Sequence, residues 1–182
     1  DEVHKNSENK LVQYDYKAAD CILGASDIML DKMMFSLPAQ QILAGCGTGS
    51  VEDRAKNLVT SMEAMENMMY LFYQHKGLGN LTAAEQERFG TRNGLPTARQ
   101  NIRYMRMFTG AFMYAGGLHI GVEWGSTAGL CSTQGVAFDE EGRYQSGHYY
   151  GWGISHEIGH EINQGAYAIA EVTNNYYAQL AQ

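Results

Sequence analysis

Apolar side chains recur at three- and four-residue steps from Leu58 through Val59, Met62, Met65 and Met69 to Phe72. That spacing predicts a long amphipathic helix with a methionine-lined inner face, which reads as core filling. Ser50 stands where an N-cap is needed, Glu52 and Asp53 fill the first turn, and Gly77 marks the end. Thr82 and Glu85 have the spacing of a capping box, predicting a short helix that ends near Gly90. Nearer the N-terminus, Ser26-Asp27 reads as the cap of a short helix carrying Ile28, Met29, Met33 and Met34. Pro38 then opens another helix through Ala44. Gly45-Cys46-Gly47-Thr48-Gly49 lacks the phosphate-loop pattern and reads as a linker.

Between Asn93 and Phe138 the period changes. Short runs of β-branched and aromatic residues among glycines predict strands over 103–108, 111–114, 119–123 and 136–138. Helical spacing returns in the final third, with one helix over 152–163, a break at Gly165 and a second helix over 166–181. The fold class is α+β with helix dominant. Residues 1–25 form a polar N-terminal segment, its first dozen frayed, and 26–182 form one domain.

Composition narrows the function. A chain of 182 residues, 45% hydrophobic and 18% charged, can bury one sizeable core. A net charge of −7 argues against a nucleic-acid partner, which calls for a basic patch. No apolar run is long enough for a membrane-spanning helix. The stretch Asp1-Glu2-Val3-His4-Lys5 is not a signal peptide. Cys21, Cys46 and Cys131 form no close pair, so a thiolate zinc site is not expected. They read as buried free thiols, with one disulfide and a leftover thiol as the alternative. Asn80-Leu81-Thr82 is a glycosylation sequon, meaningful only in a eukaryotic secretory setting.

The chemistry concentrates at residues 156–160, His-Glu-Ile-Gly-His. On a helix, positions i and i+4 share a face, so both imidazoles can reach one metal at about 2.0–2.1 Å. Glu157 is offset from that face and suits the general base that holds the reacting water. Catalytic zinc needs a third protein ligand and an open position. Asn163 and Ala166 stand where the metzincin pattern requires Gly and His, which excludes that class. Glu161 points about 100° away from His160 around the helix. Beyond it, Glu171 is the one remaining carboxylate or histidine. A reversal near Gln164-Gly165 that lays the second helix antiparallel to the first brings Glu171 over the histidines. The expectation is one Zn2+ per chain on His156, His160 and Glu171.

The run Trp152-Gly153-Ile154-Ser155-His156-Glu157-Ile158-Gly159-His160, followed by Glu171-Val172-Thr173-Asn174-Asn175, resembles the enhancin and mucin-degrading zinc metallopeptidases (peptidase family M-sixty, gluzincin type). Met113 to Gly121 and Ser36-Leu37-Pro38-Ala39 are softer matches, and the likeness covers roughly residues 26–182. The resemblance implies a zincin-like catalytic core with a small sheet and an active-site helix pair. It also implies a secreted or cell-surface enzyme cleaving O-glycosylated, mucin-like polypeptides. Such catalytic domains usually continue with a further helical part, whereas this chain ends eleven residues past Glu171. A transition-state donor or substrate wall is therefore expected to be missing.

Around this centre, His148, Tyr149, Tyr167, Tyr176 and Tyr177 are candidate oxyanion donors. His119, Trp124, His148, Tyr149 and Trp152 are candidate substrate contacts, and the glycines at 116, 117 and 121 allow close backbone approach to an edge strand. Asn174 and Asn175 are candidates to orient the zinc ligands, and Glu161 reads as a solvated charge. Three other functions compete. One is a general endo- or aminopeptidase without a glycan requirement. The second is a non-catalytic glycan-binding module on the same fold, which an intact Glu157 disfavours. The third is a structural zinc site, which would close its fourth position with Cys or His.

Overall fold

The computed structural model describes residues 2–5, 11–14, 24–90, 93–107, 110–132, 136–138, 144–146 and 150–181. In chain order the elements are β1 (Glu2–Lys5), β2 (Leu11–Tyr14), β3 (Ala25–Met29), β4 (Met33–Pro38), α1 (Ala39–Gly45), α2 (Val51–His75) and α3 (Ala83–Phe89). They continue with β5 (Gln100–Tyr104), β6 (Met113–Ala115), β7 (His119–Val122), α4 (Trp124–Thr127), β8 (Val136–Phe138), β9 (Tyr144–Ser146), α5 (Ser155–Ile162) and α6 (Asn175–Leu180). A π-helical turn, Tyr150–Ile154, leads into α5. Among the described residues, no helix is long and apolar enough to cross a membrane.

The architecture is α+β. The central sheet has the order β3-β4-β5-β7-β6. Its two inner pairings are parallel and its two outer ones antiparallel, so β6 is an edge strand that runs against β7. Side chains alternate across a strand, and the register places Phe35, Ile102 and Ile120 in one row of the inner face. All three are fully buried, with Met33, Leu37 and Val122 beside them. Opposite them pack Met62, Met65, Met68, Met69 and Phe72 of α2, and Ile154 and Ile158 at the start of α5. α2 is capped as its sequence predicts. The Ser50 hydroxyl accepts from the Asp53 backbone N–H while the Asp53 carboxylate accepts from that of Ser50, and Thr82 and Glu85 repeat the arrangement on α3.

Three expectations fail. Residues 26–34 are not a helix but the β3–β4 hairpin, closed by a bond from the Leu30 N–H to the Met33 carbonyl. The period that decides there is two: Met33, Phe35 and Leu37 are buried while Met34 and Ser36 turn to the other face. Of the first dozen residues, expected to fray, the described Glu2–Lys5 pairs antiparallel with Leu11–Tyr14 as a β1–β2 ribbon. The second C-terminal helix shrinks to α6. From Ile169 to Tyr177 most backbone bonds span three residues, making a string of turns instead of an α-helix over 166–181. The strands expected over 103–108 and 111–114 form slightly displaced, as β5 and β6, with Phe108 outside the described residues.

A candidate metal centre

α5 carries its polar and apolar faces in register. Ile158, one turn on from Ile154, is fully buried against the core, which turns His156, Glu157 and His160 outward to a cleft of about 580 Å3. Met113, Tyr114, Ala115 and Gly117 of the β6 hairpin form its other wall. The imidazole rings of His156 and His160 stand edge to face, 4.9 Å between centroids.

Glu171 reaches the same point from the segment after α5, but not on a helix. Its backbone is left-handed, φ 60°, a conformation that costs a non-glycine residue about 1–2 kcal/mol. Its carboxylate straddles the histidines, with Oε2 3.0 Å from His156 Nε2 and Oε1 3.2 Å from His160 Nε2. The segment is brought in against Gly159. A Cβ there would lie 2.6 Å from the Asn174 carbonyl oxygen and 2.8 Å from its Cα, so a larger residue at 159 would push the segment away.

The donors fit a metal. Ligand atoms from His156, His160 and Glu171 all lie within 4.8 Å of one another. Asn175 fixes which nitrogen of His156 is free. Its Nδ2 donates to the Glu171 carbonyl at 2.8 Å, so its Oδ1 faces His156 Nδ1 at 2.5 Å and accepts the Nδ1 proton. That leaves the Nε2 lone pair turned inward, the tautomer a metal ligand needs. Two imidazoles and a carboxylate are a donor set for zinc.

Glu157 is half-buried between the histidines and the edge strand. Burial holds its carboxyl above the ordinary carboxylate range, and Glu171 adds to this. The two histidines and a hydrogen bond from the Ala115 backbone pull the other way. The expected solvated charge, Glu161, is instead anchored, because its Oε2 accepts from the Leu118 N–H at 2.8 Å. Gly117 and Leu118 both have positive φ and form the tight turn between β6 and β7. Glu161 therefore ties that hairpin to the helix bearing the histidines.

Other candidates do not converge here. His119 projects from the sheet face opposite Ile120 and shares a 3.0 Å hydrogen bond with the Tyr114 hydroxyl, whose ring lies over Gly121. Trp124 packs edge-on to Tyr104, and Trp152 is exposed ahead of α5; neither lines the cleft. Tyr176 bonds His75 and Tyr177 packs against Phe72, while Tyr167 is exposed away from the cleft. His148, Tyr149 and Cys21 lie outside the described residues, and Cys46 and Cys131 are buried free thiols. The Ala115 amide, Glu161 and Gly159 are contributors that the spacing of ligands alone did not identify. Only Gly159, a glycine inside the helical motif, left a trace in the sequence.

No family model and no curated protein matches the sequence. Solved structures do match in fold. The catalytic module of the metalloprotease ZmpA from Clostridium perfringens superposes with a TM-score of 0.59 at 18% identity, over 85% of this chain and 26% of that one. The ZmpB metallopeptidase from the same organism gives 0.60 at 20%, over 87% and 26%. The M60 catalytic domain of its ZmpC, solved in complex with the sialyl T antigen, gives 0.58 at 20%, over 85% and 25%. The chain thus has the fold of part of these M60 catalytic domains and spans about a quarter of the length of each solved chain.

Proposed function

We propose that this chain, sharing the fold of the M60 catalytic domains, is the zincin-like, zinc-binding part of a gluzincin-type metallopeptidase that hydrolyses peptide bonds. The observation that carries the reading is the approach of the Glu171 carboxylate to both histidine Nε2 atoms, 3.0 and 3.2 Å away, with Glu157 in the same cleft.

His156, His160 and Glu171 would hold the ion. Bound there, zinc would supply Lewis acidity that lowers the pKa of a water and polarises the scissile carbonyl. Glu157 takes the proton of the attacking water and delivers it to the leaving amine. The Ala115 amide holds its carboxylate at the strand edge. Asn175 keeps His156 in the ligating tautomer. The exposed edge of β6 suits a substrate backbone added as a further strand.

The substrate class is inferred from the sequence resemblance and from the glycan held by ZmpC. On that reading the substrate is an O-glycosylated, mucin-like polypeptide met outside the cell. Wild-type protein should carry one zinc, and His160→Ala should lose it. Glu157→Gln should keep the zinc and lose turnover of a glycopeptide by about 100-fold or more. A wild-type chain that takes up no zinc overturns the reading. Equal cleavage of the peptide after its glycans are removed confines the reading to a general peptidase.

A further inference from the structure

Glu157 and Glu161 stand one helical turn apart on α5 and share a face. Each carboxylate accepts a backbone N–H of the β6–β7 hairpin, Glu157 from Ala115 and Glu161 from Leu118, the latter at 2.8 Å. The ladder within the hairpin fixes which backbone groups are free. The Gly116 N–H donates to the His119 carbonyl at 2.9 Å, and the Phe112 carbonyl accepts from the Glu123 N–H at 2.9 Å. Residues 112 and 116 therefore bond inward, and in an antiparallel ladder positions 113 and 115 face outward. Met113 and Ala115 turn their N–H and C=O groups to the open edge, where the Ala115 N–H meets a side chain of α5.

The two carboxylates have different tasks. The start of α5 is locked into the core by Ile154, Ser155 and Ile158, but its last turn, Glu161-Ile162, is only half-buried. That turn is held from outside, by the Lys76 ammonium on the Ile162 carbonyl and by Glu161 on the Leu118 N–H. Leu118 is a fixed post, because its carbonyl accepts from the Asn101 N–H of β5 at 3.1 Å. Its backbone is left-handed, φ 67°, and its side chain is 54% exposed, so burial offsets little of that strain. A hydrogen bond holds only over about 2.7–3.2 Å. Glu157 and Ala115 therefore stay joined only while α5 and the edge strand keep their spacing. We infer that Glu161 is a positioning residue: its grip on the Leu118 N–H sets the spacing between α5 and the edge strand, and that spacing keeps Glu157 on the Ala115 N–H. This rests on the metallopeptidase reading and adds a determinant of turnover that neither binds zinc nor moves a proton.

Amide hydrogen exchange on the whole chain without metal, with zinc content and glycopeptide turnover beside it, tests this in Glu161→Ala and Glu161→Gln. Ala deletes the acceptor. Exchange at the Ala115 N–H should quicken by about 10-fold or more, while the Gly116 N–H keeps its rate. Zinc content should be unchanged, and turnover should fall by about 10–100-fold. Gln keeps an acceptor oxygen and should restore exchange and turnover to near the wild-type values. Exchange at Ala115 within about twofold of wild type in Glu161→Ala overturns the inference and leaves the metallopeptidase reading intact. Unchanged turnover in Glu161→Ala does the same, as does a loss in Gln as large as in Ala. Should Glu161→Ala fail to fold, Glu161→Asp decides by the same readouts, since it keeps the charge but is one methylene too short to reach Leu118. A wild-type chain that binds no zinc overturns both the inference and the reading.

Discussion

The two limbs of the centre are built differently. His156 and His160 stand on α5, whose inner face is locked into the core, and their side chains are 17% and 27% exposed. Glu171 comes from 163–174, a string of turns outside the core, and its side chain is 70% exposed. The first limb is placed by helical periodicity and apolar burial. The second is placed by side-chain hydrogen bonds and one contact with Gly159. Stability and metal affinity should therefore respond to different residues. Breaking the α5 limb should destabilise the fold, whereas breaking the Glu171 limb should weaken metal binding while stability is nearly kept.

The largest effect on stability should come from Ile158→Ala, which empties a fully buried site on α5 between His156 and His160 on one side and α2 on the other. Loss of a core Ile to Ala costs about 2–5 kcal/mol. Denaturant unfolding should show that loss, with zinc affinity of the still-folded protein nearly unchanged. Gly159→Ala comes next and couples the limbs. Its new methyl group meets the Asn174 backbone at 2.6–2.8 Å, and overpacking of this kind costs about 1–3 kcal/mol. Because the strained partner is the Glu171 segment, zinc affinity should fall as well. A Gly159→Ala protein with normal stability and normal zinc binding would show that the two limbs do not press on each other.

The contrast also explains what the sequence revealed. α2 was legible because its methionine period and its caps agree, and α5 because His156 and His160, four residues apart, lie one turn apart on one face of a helix. The approach of Glu171 to the two histidines was legible by elimination, yet the backbone that carries it was not. The Ala-rich stretch 166–170 has the composition of a helix, and no residue type announces a left-handed φ at a glutamate. The β3–β4 hairpin was misread because Ile28, Met29, Met33 and Met34 fit a helical face, while the alternation that decides begins only at Met33. Backbone contributors such as the Ala115 amide carry no side-chain signature, so no spacing argument reaches them.

Thr173 sharpens the comparison at the level of a single hydroxyl. Its Oγ1 accepts from Asn163 Nδ2 at 3.2 Å and from the Ile169 N–H at 3.1 Å, and it donates to the Ile169 carbonyl at 3.1 Å. Those bonds fold the turn ahead of Asn174 and join it to the end of α5. Thr173→Val keeps the shape and deletes the hydroxyl, which should cost about 1 kcal/mol, less than either α5 variant. If side-chain hydrogen bonds place Glu171, zinc affinity should drop in Thr173→Val although the melting temperature falls only a few degrees. A smaller effect is expected at Ile169 itself, whose side chain is 64% exposed. Ile169→Ser leaves its backbone bonds to Thr173 in place and should change stability by no more than about 0.5 kcal/mol. Zinc affinity should stay at the wild-type value, because the segment is held by the hydroxyl and not by apolar contact. A clear loss of zinc in Ile169→Ser would place apolar packing, not hydrogen bonding, behind the position of Glu171.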